Sequence, residues 1–376
     1  MHKPQTILMT ADTVGGVWTY ALELTRALQP HGVEVQLALM GPPLTRAQRA
    51  DADNIPNLSL FKSGYKLEWM PDCWADVERA GDWLLHLASR LCPDVIHLNG
   101  YAHANLPWRR PVLVVGHSCV FSWWQAVHGS EPDAAWQRYK REVTNGLRAA
   151  DMVVAPSAAM LHSLKTHYGK IENSRVIANG RDTQAFKPVE KQPFILSAGR
   201  LWDAAKNIGA VAELAAELPW RVCVAGEVEA PQQTQPQADF SKRCLMLGAL
   251  AEADLREWFA AAPIYALPAL YEPFGYTPLE AGLSGCALVL GDIQSLRETW
   301  DGAAVFVAPR ERTALKTELT RLIENDRYRR EMARRARVRA LQFTRERMVD
   351  NYLDAYAELL VHARRSRGKE TFARCA

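Results

Sequence analysis

Short apolar runs alternate with helical patterns through almost the whole chain, and this alternation limits the possible folds more than any other feature. Runs predicting strands lie at Thr6–Ala11, Val33–Leu39, Asp94–Asn99, Pro111–Ser118, Asp151–Ser157 and Arg175–Asn179 in the first half. In the second half they lie at Phe194–Ser197, Arg221–Ala225, Cys244–Leu247, Ile264–Leu267, Ala287–Leu290 and Ala303–Val307. Strands separated by helices assemble as parallel, doubly wound α/β sheets, which bind ligands beyond the carboxyl ends of their strands. At 376 residues the chain is long for one core, and the polar, proline-bounded stretch from Lys187-Pro188 to Pro193 separates the two series. We therefore expect one domain over residues 1–188 and a second over 189–346, with a closing helix at about 347–376. The apolar stripe Val349, Tyr352, Leu353, Tyr356 and Leu359-Leu360 gives that helix a face with which to return to the first domain.

Composition removes several classes of function. No apolar run reaches the roughly 20 residues needed to span a bilayer, and Met1-His2-Lys3-Pro4 leads into a strand pattern instead of a signal peptide, so a cytoplasmic protein is expected. Seven cysteines without a C-x-x-C pair indicate neither a disulfide framework nor a zinc site. Asp51-Ala52-Asp53 looks like a metal-binding D-x-D triplet, but it lies in a polar helical stretch without an adjoining strand and reads as surface. The net charge of +3 conceals a cluster of nine arginines between Arg327 and Arg347. Such a cluster is either a solvated helix face or a peripheral contact for an anionic membrane at its inner face; without interleaved aromatics it does not indicate nucleic acid.

Chemistry concentrates after the run Ile264–Leu267, where Glu272-Pro273-Phe274-Gly275-Tyr276-Thr277-Pro278-Leu279-Glu280 carries two carboxylates across a predicted strand-to-helix turn. Thr277 reads as the helix N-cap and Pro278 as its first residue, and the free N–H groups there would favour a phosphate. Glu280 has two readings: the far end of a capping box with Thr277, or a ligand group. Glu272, between an apolar strand and Pro-Phe-Gly, is expected to be partly buried and to need a partner such as a ligand hydroxyl.

Other turns fit the same pattern. Gly15-Gly16 follows the first strand and opens a helix, either as a tight turn or to let backbone approach a ligand; it is not the G-x-G-x-x-G fingerprint of a nicotinamide enzyme. His117 ends the run Val112–Gly116 and is either a satisfied structural histidine or a site group. Phe121-Ser122-Trp123-Trp124 follows it with flat side chains that suit either core packing or stacking on the apolar face of a ligand. Arg200 and Lys206 flank the turn after the first strand of the second series.

Glu272-Pro273-Phe274-Gly275 followed by Glu280 resembles the E-x7-E signature of the retaining glycosyltransferases of family 4, and the likeness extends over nearly the whole chain. The resemblance implies a GT-B fold, two Rossmann-like β/α/β domains facing each other across a cleft. It implies a metal-independent transfer, without a cofactor, of a hexose-type sugar from a nucleotide-diphosphate sugar to a glycan, lipid-linked or small-molecule acceptor. On this likeness His117, Glu272, Arg200 and Lys206 are the catalytic set. Gly15, Gly16, Phe274, Gly275, Tyr276, Thr277 and Glu280 would line the donor, with Glu280 on its ribose, and Trp123 and Trp124 the acceptor. Gly226-Glu227-Val228 and Ala269 depart from the family's usual residues. Two other activities fit the same architecture, a nucleotide-sugar epimerase and a non-catalytic sugar-nucleotide or polysaccharide-binding protein.

Overall fold

The computed structural model describes residues 3–228 and 243–374, with side chains described through residue 364. The segment Glu229–Gln237, whose proline- and glutamine-rich composition predicts a loop, lies outside them. The chain divides into two compact units, the first made of Met1–Ser122, Glu131–Gly180 and Arg345–Ala376, the second of Trp123–Ser130 and Arg181–Thr344.

The first unit is built on seven strands: β1 (Thr6–Asp12), β2 (Glu34–Met40), β3 (Leu58–Lys62), β4 (Val95–Leu98), β5 (Val112–Val115), β6 (Met152–Ala155) and β7 (Ser174–Val176). Their order is β3-β2-β1-β4-β5-β6-β7, and every pairing is parallel. The central strands are apolar on both faces because helices cover both: Val112 to Val115 and Met152 to Ala155 are all buried. Each fully buried aliphatic side chain contributes about 1.5–3 kcal/mol. The helix Gly16–Leu28 follows β1, and the helix Arg345–Arg374 packs against it, with the Tyr20 and Tyr352 ring centroids 6.0 Å apart; Tyr352, Ala355 and Tyr356 are shut off from solvent. That packing is fixed by an ion pair, since Glu23, 2% exposed, accepts from Arg345 at 2.9 Å.

The second unit holds β8 (Phe194–Ala198), β9 (Arg221–Ala225), β10 (Leu245–Gly248), β11 (Ile264–Leu267), β12 (Ala287–Gly291) and β13 (Val305–Val307), in the parallel order β10-β9-β8-β11-β12-β13. Strand order reverses direction between β1 and β4 in one sheet and between β8 and β11 in the other. Those reversals are where an open α/β sheet leaves a crevice for a ligand.

The boundaries differ from the proline-bounded linker expected at Lys187-Pro188. The chain leaves the first unit at Gly180, because Arg181 is already bound into the second: its N–H donates to the Phe343 carbonyl at 3.1 Å. The segment Trp123–Ser130 also groups with the second unit, held by Trp123 Nε1 on Asp203 and by Arg310 on the Val127 carbonyl.

The arginine cluster is largely engaged at home. Arg330 pairs with Asp326, Arg334 and Arg335 with Glu331, Arg337 donates to the Leu283 carbonyl, and Arg339 donates to the Thr299 carbonyl. The last two satisfy carbonyls at the ends of the helices Tyr276–Leu283 and Gln294–Trp300. Arg330, Arg334 and Arg335 stay on an exposed helix face, whereas Arg337 and Arg339 serve the fold. None of the described helices is long and apolar enough to cross a membrane.

Candidate active site

In the second unit the turns after β8 and β11 are stitched together. The Ala205 carbonyl accepts from Leu270 N at 2.8 Å, and Asn207, in a left-handed conformation at φ 53°, donates its Nδ2 to the carbonyls of Pro268 and Pro309 at 2.9 and 2.7 Å. Gly226 allows the tips of β8 and β9 to approach, since a Cβ there would stand 1.8 Å from the Gly199 carbonyl oxygen. The stitching brings two charged side chains face to face: Lys206 Nζ lies 2.6 Å from Glu272 Oε2, with the side chains 17% and 11% exposed. Ser295 Oγ donates to the Glu272 carbonyl at 2.6 Å and steadies the turn from behind.

Arg200, the other cation, pairs with Asp203 at 2.7 Å and lies over the Trp202 ring at 4.9 Å. Asp203 was not singled out in the sequence, although its spacing from Arg200 is an ion-pair spacing. It is buried, accepts from Arg200 and from Trp123 Nε1 at 2.9 Å, and caps the turn Ala204–Lys206 through Ala205 N. Burial alone would raise its pKa, but Arg200, then Lys206 and the bonded donors, hold the carboxyl below its ordinary value. The result is a fixed set of two cations and two carboxylates at one switch point.

The capping reading of the second carboxylate is corrected. The helix Tyr276–Leu283 starts two residues earlier than expected, its N-cap is Gly275 at φ 92°, and no side chain caps it. Pro278 is therefore inside the first turn, and Thr277 Oγ1 instead accepts from the buried Tyr265 hydroxyl at 2.7 Å. Glu280, buried, takes two bonds from Arg181 on its Oε1, at 2.8 Å from Nε and 2.7 Å from Nη2. Phe274 is buried against Tyr276 and Phe343, so its ring shapes the turn from the core side. A Cβ on Gly275 would meet Pro278 and the Glu272 side chain at 3.0–3.2 Å in a left-handed backbone, which makes glycine the fitting residue between the carboxylates.

In the first unit, Gly15 at φ 86° turns the chain out of β1, and Gly16 opens the helix Gly16–Leu28; both glycines are exposed, and no side chain caps that N-terminus. At the neighbouring strand ends lie Asn99 after β4 and His117 after β5. Asn99 Nδ2 donates to the Thr10 carbonyl at 2.6 Å, which turns its Oδ1 toward His117 Nε2 at 2.8 Å. A carbonyl oxygen accepts, so Nε2 carries the proton and Nδ1 is the unprotonated nitrogen of the neutral ring. Burial pushes the His117 pKa down to about 3, and the ring is neutral at pH 7. Tyr20 sets its edge against it, with ring centroids 4.5 Å apart, and bonds His97, which in turn bonds Tyr356 at 2.7 Å.

The aromatic run after His117 divides. Phe121 is fully buried, parallel to the Tyr139 ring, and is not available to a sugar. Trp123 and Trp124 remain partly exposed and form a cluster with His128, at 5.6 and 4.6 Å respectively between ring centroids. They belong to the second unit instead of the first, where the resemblance would put an acceptor site. Asp53 is exposed on the helix Arg46–Asp53, as a surface residue. Among the described residues no group of three or more His, Cys, Asp or Glu side chains is arranged to hold a metal ion.

Comparison with known proteins bears on the family and the fold. The model of Glycosyltransferase Family 4 matches residues 14–185, and the model of Glycosyl transferases group 1 matches residues 180–339. The chain is 30% identical over 175 residues to mannosylfructose-phosphate synthase of Agrobacterium fabrum (strain C58 / ATCC 33970), 38% of each chain being covered. It spans only 29% and 38% of the length of the first two curated relatives it matches. Among solved structures, sucrose-phosphate synthase from Thermosynechococcus elongatus superposes with a TM-score of 0.79 at 18% identity, covering 95% of this chain and 100% of that one. Anabaena HepE in complex with UDP-glucose superposes with a TM-score of 0.74 at 18% identity, again over 95% and 100%.

Proposed function

Since the chain belongs to glycosyltransferase family 4 and has the GT-B fold of two Rossmann-like units, we propose that it is a retaining transferase that moves a hexose from a nucleotide-diphosphate sugar to a sugar, lipid-linked or small-molecule acceptor without a metal. The observation that carries this reading is the pair Lys206–Glu272 at 2.6 Å beside Arg200, at the switch point of the second sheet. It sets cations for a diphosphate next to a carboxylate for sugar hydroxyls.

As the glycosidic bond breaks, the departing nucleoside diphosphate gains negative charge, and Arg200 and Lys206 are fixed groups that meet it. Glu272 accepts hydrogen bonds from the hydroxyls of the sugar being transferred. His117, neutral and locked in one tautomer by Asn99, offers Nδ1 as an acceptor for a further hydroxyl. Gly15 and Gly16 present backbone N–H groups at an uncapped helix start. Trp123 and Trp124 offer ring faces to the acceptor. Retention and attack from the leaving-group face follow the family resemblance, and UDP-glucose bound to HepE supports a hexose donor.

A thermal-shift screen against UDP-, GDP- and ADP-hexoses tests the reading, followed by product analysis with and without acceptor and with EDTA. One donor should raise the melting temperature, since a ligand at 100 times its dissociation constant stabilises a fold by about 2.7 kcal/mol. Transfer should continue in EDTA with the anomeric configuration kept. Stabilisation by no nucleotide sugar, or an inverted product, would overturn the proposal.

A further inference from the structure

Arg181 is the largest charged side chain in the core, 2% exposed, and every side of it is occupied. Its Nε and Nη2 both reach Glu280 Oε1, and Nη2 also lies 3.1 Å from Glu252 Oε1, which Arg256 shares at 2.9 Å. Its guanidinium stands over the Phe186 and Tyr276 rings at 5.2 and 5.8 Å, and Arg256 faces the same Phe186 ring at 5.3 Å. Its main chain is fastened by the bond to Phe343 and a bridge to Thr344. A guanidinium held on so many sides cannot swing, and the carboxylate it grips is confined with it. A helix cap would need neither the charge nor the fork, and the helix that carries Glu280 is not capped by it.

We propose that Arg181 is a positioning residue that presents Glu280 to the ribose of the nucleotide donor, with Glu252 and Arg256 as the outer half of the same network. This rests on the proposed function. Two nitrogens of one rigid, planar guanidinium converging on Oε1 fix where that oxygen sits, which a single ammonium on a flexible lysine stem does not do. Orientation of Glu280 therefore depends on a residue 99 positions away in the chain, and a misaligned Glu280 would cost ribose recognition while leaving the diphosphate contacts in place.

The test compares three ligands by calorimetry: the nucleoside diphosphate whose base stabilises the wild type, its 2′,3′-dideoxy analogue, and inorganic pyrophosphate. Wild type should prefer the ribonucleotide about tenfold. Arg181→Lys should lose that preference to within twofold yet bind pyrophosphate as before, and Glu280→Gln should behave the same way. Arg181→Met is the second variant, read only if its melting curve is cooperative. Folded Arg181→Lys with the full wild-type preference would overturn the positioning role alone. A wild type that binds the nucleotide without distinguishing ribose from dideoxyribose would overturn the role of Glu280 and with it that of Arg181. Failure of the wild type to bind any nucleoside diphosphate would overturn the proposed function as well.

Discussion

Replacing Lys206 by methionine keeps the length of the side chain and removes the charge that faces Glu272. The two groups are 2.6 Å apart and mostly buried. At an effective dielectric constant of about 20 their gross attraction is roughly 6 kcal/mol, most of which is offset by the cost of taking both charges out of water. The net value of such a charge-assisted bond is about 1.5–3 kcal/mol. Lys206→Met should therefore destabilise the second unit by about 3 kcal/mol, because Glu272 stays buried without its cation. Glu272→Gln should cost about 1.5 kcal/mol, since the amide oxygen still accepts from Lys206. The double variant should lose about 2 kcal/mol less than the sum, because neither group is left stranded. Urea unfolding followed by circular dichroism measures the cycle, and nucleoside diphosphate affinity measured on the same variants separates function from folding. Lys206→Met should weaken that affinity more than tenfold and Glu272→Gln less than threefold, because the free diphosphate lacks the sugar that Glu272 meets. Additivity within about 0.5 kcal/mol would refute the pairing as an energetic unit, and equal losses of affinity would refute the division of labour.

Acid should weaken the first unit through its histidines. Burial, then the neighbouring His117, holds the His97 pKa at about 3, and burial does the same for His117. Both lie below the unfolded value of about 6.5, so between the two values the unfolded chain binds protons that the folded chain excludes. Stability should fall as pH drops below 6.5, by about 1.4 kcal/mol per pH unit for each of His97 and His117, with a further share from His103 and His167, whose burial also lowers their pKa values; His97→Gln should reduce the slope by about 1.4 kcal/mol per pH unit in urea titrations at pH 7, 5 and 4. Arg345→Met should lower stability by about 1.5 kcal/mol in the same assay, since buried Glu23 loses its partner at 2.9 Å and retains the longer contact to Arg26 at 3.4 Å, while adding Glu23→Gln should recover part of the loss.

Much of this architecture was legible because a parallel sheet covered on both faces writes its strands as continuous apolar runs. The strand Leu58–Lys62 was not, because it is an edge strand in which Leu58 and Leu60 are only half buried and Ser59 and Lys62 face solvent. The carboxylates Glu272 and Glu280 and the cations Arg200 and Lys206 stood out through local spacing around turns. What holds them did not, since Arg181 meets Glu280 and Trp123 meets Asp203 through tertiary folding, and nothing adjacent in sequence marks those pairs. The Thr277-x-x-Glu280 spacing misled for the same reason: a distant guanidinium outcompeted the backbone N–H for the carboxylate. Phe121 and Phe274 show the corresponding limit for aromatics, because the sequence does not tell a ring that seals a core from one that faces a cleft.

The bond between His97 and Tyr356 spans 259 positions, and it bears on how the chain is made. The core of the first unit is completed by the helix Arg345–Arg374, which a ribosome delivers only after the segment Arg181–Thr344 of the second unit. At about 5–20 residues per second, roughly ten to thirty seconds separate emergence of Gly180 from that of Arg345. Throughout that interval Glu23, His97 and the apolar face around Leu24 wait without the side chains that cover them. The second unit, whose large contiguous segment is finished earlier, needs no such delay. The second unit can therefore complete its core before the first, although its synthesis begins later.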